Sequence, residues 1–332
     1  MKLQALTKDH EPRLESGRAL RRAITSSREP IGTPGRPADL GPVSSALSDA
    51  DYRLLGEWSR DHPLVTIRAY AYDRSIADLD FLRWFPETRR FQVDVYHMEN
   101  FDGLRFLPEN LESLALGATR RRMSMRSLER FKELRRLLVE GHTKELDAVG
   151  QLTNLVDLTL RSIKLPNLEI LRPLEHLEAL DLKLGGTTNL EPLSSIGRLK
   201  YLELWQIRGF ADLTPISEVT TLEYLFLQSL RRVEVLPDLS RLTNLKCVWL
   251  ETMKGLTDLA PLTTAPVLEN VALIEMGHLP ADAVSPLLEC PRLKSVRVGL
   301  GSDRKNRAAD EILGSLSNRD ADLRDRSVYR HW

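Results

Sequence analysis

Between Leu155 and Leu273 the chain repeats one phrase of apolar positions. It consists of an apolar residue, two of any kind, a second apolar residue, one of any kind and a third apolar residue. The copies are Leu155/Leu158/Leu160, Leu177/Leu180/Leu182, Leu199/Leu202/Leu204, Leu222/Leu225/Leu227, Leu245/Val248/Leu250 and Leu268/Val271/Leu273. Their first residues are 22, 22, 23, 23 and 23 apart. A fixed period in the twenties is the mark of a solenoid. The last two apolar residues of each phrase lie two apart, so they share one face of an extended chain, and each phrase predicts a short strand. Behind the strands come second apolar sets, Leu190-Glu-Pro-Leu193, Leu213-Thr-Pro-Ile216 and Leu259-Ala-Pro-Leu262. Proline fixes φ and lacks an N–H, which suits the first turn of a short helix. Each unit is therefore strand, turn, short helical segment and return. One unit cannot bury its own apolar side, but stacked units share a continuous core.

Weaker copies extend the pattern in both directions. Leu64/Ile67/Ala69, the alternating Phe91/Val93/Val95, Leu111/Leu114/Leu116 and Leu134/Leu137/Val139 precede the regular stretch, and Leu293/Val296/Val298 follows it. Eleven strands result, over residues 64–300. A solenoid leaves its terminal layers bare, so caps are expected. Residues 47–63 predict an N-terminal capping helix, with Ser48 as N-cap, a stripe of Leu54, Leu55 and Trp58, and a stop at His62-Pro63. Residues 301–332 predict a C-terminal cap helix with a stripe of Ala308, Ile312 and Leu316, then a polar tail. Residues 1–46 gather Gly, Pro and Ser at 28–43 and read as a flexible N-terminal tail, with a weak basic helix at Leu14–Ile24.

The phrase and its period resemble those of leucine-rich repeat proteins, in the short-repeat class that includes the internalins. The resemblance covers roughly 64–300. It implies an α/β solenoid: a leucine-rich repeat arc or horseshoe, with a parallel β-sheet on the concave face and short helical or 3-10 turns on the convex face. The family usually places Asn three positions after the third apolar residue, where its side chain bonds to the turn backbone. Here those positions hold Ile163, Gly185, Ile207, Leu230, Met253 and Met276. The turn must satisfy its backbone in another way.

Lys and Arg total 47 and Asp and Glu total 47 in 332 residues, which argues against a chain that coats nucleic acid. The two cysteines, Cys247 and Cys290, stand in no metal spacing and predict a reduced, cytoplasmic chain without a disulfide frame. The first residues show no apolar run of signal-peptide type, and no run approaches the roughly 18 apolar residues of a membrane span. None of the seven histidines has a two-His metal spacing, and there is no G-x-S-x-G elbow or phosphate loop. No cofactor, metal site, catalytic residue or membrane association is expected, and the chain does not read as an enzyme.

The informative positions are the strand residues that point away from the leucine core: the third, fifth and seventh places of each phrase. Across three consecutive phrases they hold Tyr201, Glu203, Trp205, then Tyr224, Phe226, Gln228, then Cys247, Trp249, Glu251. Five of these nine are aromatic in a chain that is 6% aromatic, and the other eight phrases supply only Tyr70. Strands lie about 4.8 Å apart, so the rings predict one contiguous exposed patch. Ile274 extends it, and Asp181, Glu203 and Glu251 belong to an acidic rim. Aromatic anchors with a charged border fit a protein interface. A second, basic patch is Arg120, Arg121, Arg122 and Arg126, at the head of a cluster running to Arg136. It reads as a solvated face, and with only Phe131 nearby it lacks rings for a single-stranded nucleic acid. The expected function is a non-catalytic, monomeric interaction module that takes a protein partner on its concave face, as adaptor, regulatory subunit or neutralising inhibitor of a toxin or enzyme. The alternative is an enzyme, or a binder of RNA or an acidic partner through the Arg120–Arg136 cluster.

Overall fold

The structure, a computed structural model, describes residues 2–6, 47, 49–72, 74–209 and 211–319. The expected helix at 14–24, the Ser48 cap and the tail beyond 319 lie outside the described residues. The chain forms two compact units, Met1–Ala148 and Val149–Trp332. The first contains β1 (Lys2–Leu6), α1 (Asp49–Arg60), β2 (Thr66–Ala71), β3 (Arg90–Val95), β4 (Ser113–Leu116) and β5 (Arg136–Glu140). The second contains β6 (Asp157–Arg161), β7 (Ala179–Lys183), β8 (Tyr201–Trp205), β9 (Tyr224–Gln228), β10 (Cys247–Glu251), β11 (Asn270–Ile274), β12 (Ser295–Val298) and α2 (Asp303–Leu313). Strands β2–β12 stand where the eleven phrases place them. In the first unit β2 to β5 pair in parallel, and in the second β6 to β12 do so.

Register follows the phrase. Leu158, Leu180, Leu202, Leu225, Val248, Val271 and Val296 are successive partners across the second unit, so like positions stack into one column. Every member of that column is buried. Fully burying a Leu or Val side chain stabilises by about 1.5–3 kcal/mol, and a stack repeats that gain at each layer. The return segments are 3-10 turns, such as Glu191–Ser195, Thr214–Glu218 and Ala260–Thr264. At three residues per turn, the two apolar residues of Leu-x-x-Leu fall on the same side. One backbone bond closes each, for example Ile216 N–H to Leu213 C=O at 2.9 Å. An Asp or Asn two residues ahead starts the turn by accepting a backbone N–H: Asn189 from Glu191 at 2.7 Å, Asp212 from Thr214 at 2.8 Å and Asp258 from Ala260 at 2.8 Å. This is the Asx turn, and it accounts for the Asp-Leu and Asn-Leu pairs that head these segments.

The missing Asn of the repeat has a backbone substitute. The residue directly after each strand from β6 to β11 is left-handed: Ser162, Leu184, Gln206, Ser229, Thr252 and Glu275 have φ between 52° and 57°. Reversing the backbone there lets the residue donate to the last carbonyl of the next strand. Ser162 N–H reaches Lys183 C=O, Leu184 N–H reaches Trp205 C=O and Gln206 N–H reaches Gln228 C=O, each at 2.8 Å. The next residue then turns into the core, and Ile163, Leu230, Met253 and Met276 are all buried there. At Gly185 a Cβ would stand 2.0 Å from Ile163 C=O, so no side chain fits.

Three sequence expectations change. Residues 2–6, read as part of a flexible tail, form β1, paired antiparallel to β2 from Lys2↔Tyr70 to Leu6↔Thr66; the pairing occupies an otherwise open sheet edge. Helix α1 buries Tyr52, Leu55, Gly56 and Ser59, while Leu54 is exposed and Trp58 only half-buried. Its face is set by Tyr52 stacking on Phe81 at 5.2 Å and by Gly56, whose lack of a Cβ admits the Trp84 carbonyl. Helix α2 buries Ala309 and Leu313, one position on from the expected stripe. Ser302 caps its start and Gly314, at φ 56°, ends it before Leu316.

A left-handed conformation costs an L-residue about 1–2 kcal/mol. Gln206→Gly is therefore expected to raise the stability measured by urea unfolding, by about 1 kcal/mol at most because glycine frees the unfolded chain. Gln206→Val, β-branched, is expected to lower it.

Candidate interaction face

The second unit carries the ring cluster on the face of β7–β11 that points away from the leucine column. Register places Tyr201 beside Tyr224 and Cys247, and Glu203 beside Phe226, Trp249 and Ala272. The rings do come together. Tyr201 and Tyr224 stack with centroids 5.2 Å apart, and Phe226 and Trp249 stack at 5.8 Å. They form one apolar cluster with Ala179, Cys247 and Ala272, and Ile274 packs against it.

The expectation that these rings are exposed is corrected. Tyr201 and Trp249 have 0% of their surface accessible, and Tyr224 and Phe226 have 2%. Part of the reason is that the side chains lie down along their strands. The Tyr201 hydroxyl donates to Glu203 Oε2 at 2.7 Å, and Trp249 Nε1–H donates to Glu251 Oε2 at 2.9 Å, each to the carboxylate two residues on. Both bonds hold the polar tips of the rings on the sheet. Trp205 does not join the stack. Its register partners are Lys183 and Gln228, and its ring lies 5.8 Å from the Arg161 guanidinium, a cation–π contact.

The acids do not form a solvated rim either. Asp157, Asp181 and Glu203 are buried. Lys183 lies between two of them, with Nζ 3.1 Å from Asp181 Oδ2 and 3.2 Å from Glu203 Oε1. Thr159 donates to Asp181 Oδ2 at 3.0 Å, and Gln228 donates to Glu251 Oε1 at 2.7 Å. The half-buried residues that still reach the surface are Lys183, Trp205, Gln228, Glu251, Asn270 and Ile274. Sequence reasoning placed Lys183, Arg161 and Gln228 on or beside this face but did not count them among the site residues. Their signal is the register, which puts a lysine between Asp181 and Glu203 of adjacent strands.

Solved structures share this architecture. An internalin (inlF) from Listeria monocytogenes superposes with a TM-score of 0.53 at 14% identity, over 80% of this chain and 88% of that one. The Drosophila Toll–Spatzle complex matches with a TM-score of 0.50 at 18% identity, over 71% of this chain and 34% of that one. No family model matches the sequence, and no curated protein does. The chain has the leucine-rich repeat fold. Its repeats lack the Asn expected at the turn, and a left-handed residue precedes that position.

In the first leucine-rich unit the basic patch divides. Arg120, Arg121 and Arg122 are exposed on the loop after β4. Arg126 lies further on, in the 3-10 turn Arg126–Arg130, with its guanidinium 3.0 Å from Glu145 Oε1. The loop is shaped from beneath by His142, which is 1% exposed. Its Nδ1 accepts Met123 N–H at 3.1 Å, so the proton sits on Nε2, which donates to Gly117 C=O at 3.0 Å. One imidazole thereby ties both ends of the arginine loop, and Phe101 packs edge-on against it at 5.2 Å. Burial pushes the His142 pKa down, against the smaller opposing effect of the Gly117 bond.

Among the described residues no group of three or more His, Cys, Asp and Glu could hold a metal. Cys247 and Cys290 are reduced and buried, and burial, helped by Glu289, pushes the Cys290 thiol up, away from thiolate chemistry. No helix among the described residues is long and apolar enough to cross a membrane.

Two outcomes follow from this geometry. Removing Lys183 leaves buried carboxylates without their cation, so Lys183→Met is expected to lower unfolding stability by about 3–5 kcal/mol; a loss under about 1 kcal/mol in urea would contradict the network. His142 takes a proton less readily folded than unfolded. Its contribution is full above the unfolded pKa and lost as pH falls through the folded value. The thermal midpoint should therefore fall as pH is lowered from about 7 to about 5, with a shallower slope in His142→Gln.

Proposed function

We propose that this protein is a non-catalytic interaction module that binds a protein partner on the β7–β11 face of its second leucine-rich unit. The observation that carries the reading is the stacked ring cluster with Trp205, Gln228, Glu251 and Ile274 reaching the surface beside it. Flat, packed aromatics make a rigid floor, and rigid anchors lose little entropy on binding. The accessible residues supply what a partner can touch: an indole, an amide, a carboxylate and a branched apolar side chain. The Tyr201, Tyr224, Phe226 and Trp249 rings, with Asp181 and Glu203, act in this reading as the support of the site. Adaptor, regulatory and neutralising roles all use such a surface. The internalin and Toll similarities support the fold on which the surface is built. The two reduced cysteines support a cytoplasmic setting.

Trp249 is a poor probe, because truncating a buried Trp costs about 3–5 kcal/mol of stability by itself. The test uses the accessible positions. A photo-crosslinking residue at Ile274 should trap one protein in native cells, whereas the same residue at the exposed Leu288 should not. Trp205→Ala with Glu251→Gln, which keeps an oxygen acceptor for Trp249 Nε1–H, should abolish the product at a thermal midpoint close to that of the parent. Equal trapping at both positions, or a product that survives the double substitution, would overturn the assignment.

A further inference from the structure

The loops that follow β2, β3, β4 and β5 meet along one edge of the first unit. Residues far apart in sequence become neighbours there. Ala71 and Val95 are register partners, so Tyr72 and Tyr96 leave adjacent strands side by side. Arg120 N–H donates to Tyr96 C=O at 2.7 Å, which ties the arginine loop to the tyrosine loop. On the far side, Arg122 donates to Thr143 Oγ1 at 3.4 Å and Met125 N–H to Lys144 C=O at 3.0 Å. The edge thus runs Tyr72, Tyr96, Arg120–Arg122, Lys144.

Its chemistry is one-sided. Tyr72 is 86% exposed and Tyr96 50%, and His97 packs edge-on against Tyr96 at 5.3 Å. Arg120, Arg121, Arg122 and Lys144 are exposed, and among the described residues neither Arg120 nor Arg121 is ion-paired. The acids of these loops are Asp73 and Asp78 after β2, beside Arg74, and Glu99 and Glu145 after β3 and β5; Glu145 is engaged by Arg126 and the Ser124 hydroxyl. The arginine loop cannot easily fold its charges away, because His142 fixes it at Gly117 and Met123. Exposed rings beside fixed, uncompensated guanidinium groups match a ligand that offers phosphates and flat bases in alternation. An acidic peptide would use the arginines but not the rings, and a duplex hides its base faces. The sequence holds the arginines and the tyrosines in separate repeats, and only the register brings them together.

We propose that this edge binds single-stranded nucleic acid, with Arg120, Arg121 and Arg122 on phosphates and Tyr96 and Tyr72 stacking on bases. The surface shares no residue with the β7–β11 face, so each reading stands or falls alone.

The experiment is fluorescence anisotropy of the full chain with a labelled uridine oligomer of about 20 nucleotides across a salt series. Affinity should fall with salt. The triple variant Arg120→Ala, Arg121→Ala, Arg122→Ala should weaken binding at least about tenfold and reduce the log–log salt slope by about 2, at roughly 0.7 for each phosphate that is no longer neutralised. Tyr96→Ala should weaken binding about tenfold and leave the slope unchanged, and Tyr96→Phe should restore it. Circular dichroism and thermal melting of each variant establish that the fold is kept. Absence of binding at low salt would overturn the proposal. So would a triple variant that binds like the parent, or poly-glutamate that competes as well as the oligomer, which would mark an acidic polypeptide as the ligand.

Discussion

The backbone bond that each repeat makes just beyond its strand is the constraint on which the second unit depends. In the usual repeat an Asn side chain satisfies the turn. Here the chain accepts a left-handed residue at six successive strand ends, and at the first five of them, Ser162 to Thr252, that residue's N–H bonds to the neighbouring strand. The ladder is longer by one rung than the strands themselves. Because the turn is completed by backbone, the next side chain is released from polar duty and enters the core as Ile163, Leu230, Met253 or Met276. A position that is usually polar in this kind of repeat has become a core position. The conformational cost of the reversed φ is offset by an added hydrogen bond at five of these layers and by added apolar burial wherever an apolar side chain follows.

The same regular register governs the opposite face. In-register stacking forces like places of successive phrases into contact, whatever their chemistry. Where the phrases carry rings, the rings stack; where they carry acids, carboxylates are brought within strand spacing of one another. Asp181 and Glu203 are register partners, and two buried carboxylates at that distance need a cation between them. Lys183 fills that need from the end of β7. Polar placement on this face is thus a consequence of repeat stacking, and the lysine is as necessary to it as the leucines are to the core.

The strands and their pairing were legible in the sequence because one period fixed both. A phrase that repeats every 22 or 23 residues defines where each strand lies and which residues face each other. The left-handed turn was not legible. Ser162, Leu184, Gln206, Ser229, Thr252 and Glu275 share no residue type that favours the conformation, and only the apolar residue after them hinted at a different turn. In α1 a local contact, Gly56 against the Trp84 carbonyl, overruled the stripe; in α2 the buried pair Ala309 and Leu313 stands one position on, and Gly314 ends the helix before Leu316. Composition located the aromatic cluster at Tyr201–Trp249, but counting rings could not show that two of them bond to carboxylates two residues on and lie flat.

Net charge illustrates the same limit in electrostatic terms. Equal numbers of acidic and basic residues suggest a neutral surface, yet exposed charges interact only over about a Debye length, roughly 8 Å at physiological salt. A solenoid gathers residues one period apart into patches of about that size. In the second unit the gathered charges are Asp181, Glu203 and Lys183, buried and mutually compensating. In the first, Arg120–Arg122 are gathered beside Tyr96 and Lys144, with Glu145 engaged by Arg126. Two patches built by one repeat geometry therefore differ in kind: one consumes its charge internally and offers shape, and the other keeps its charge outward and offers a field. That difference could not be read from the whole-chain sum, because the sum erases the spatial correlation that the repeat imposes.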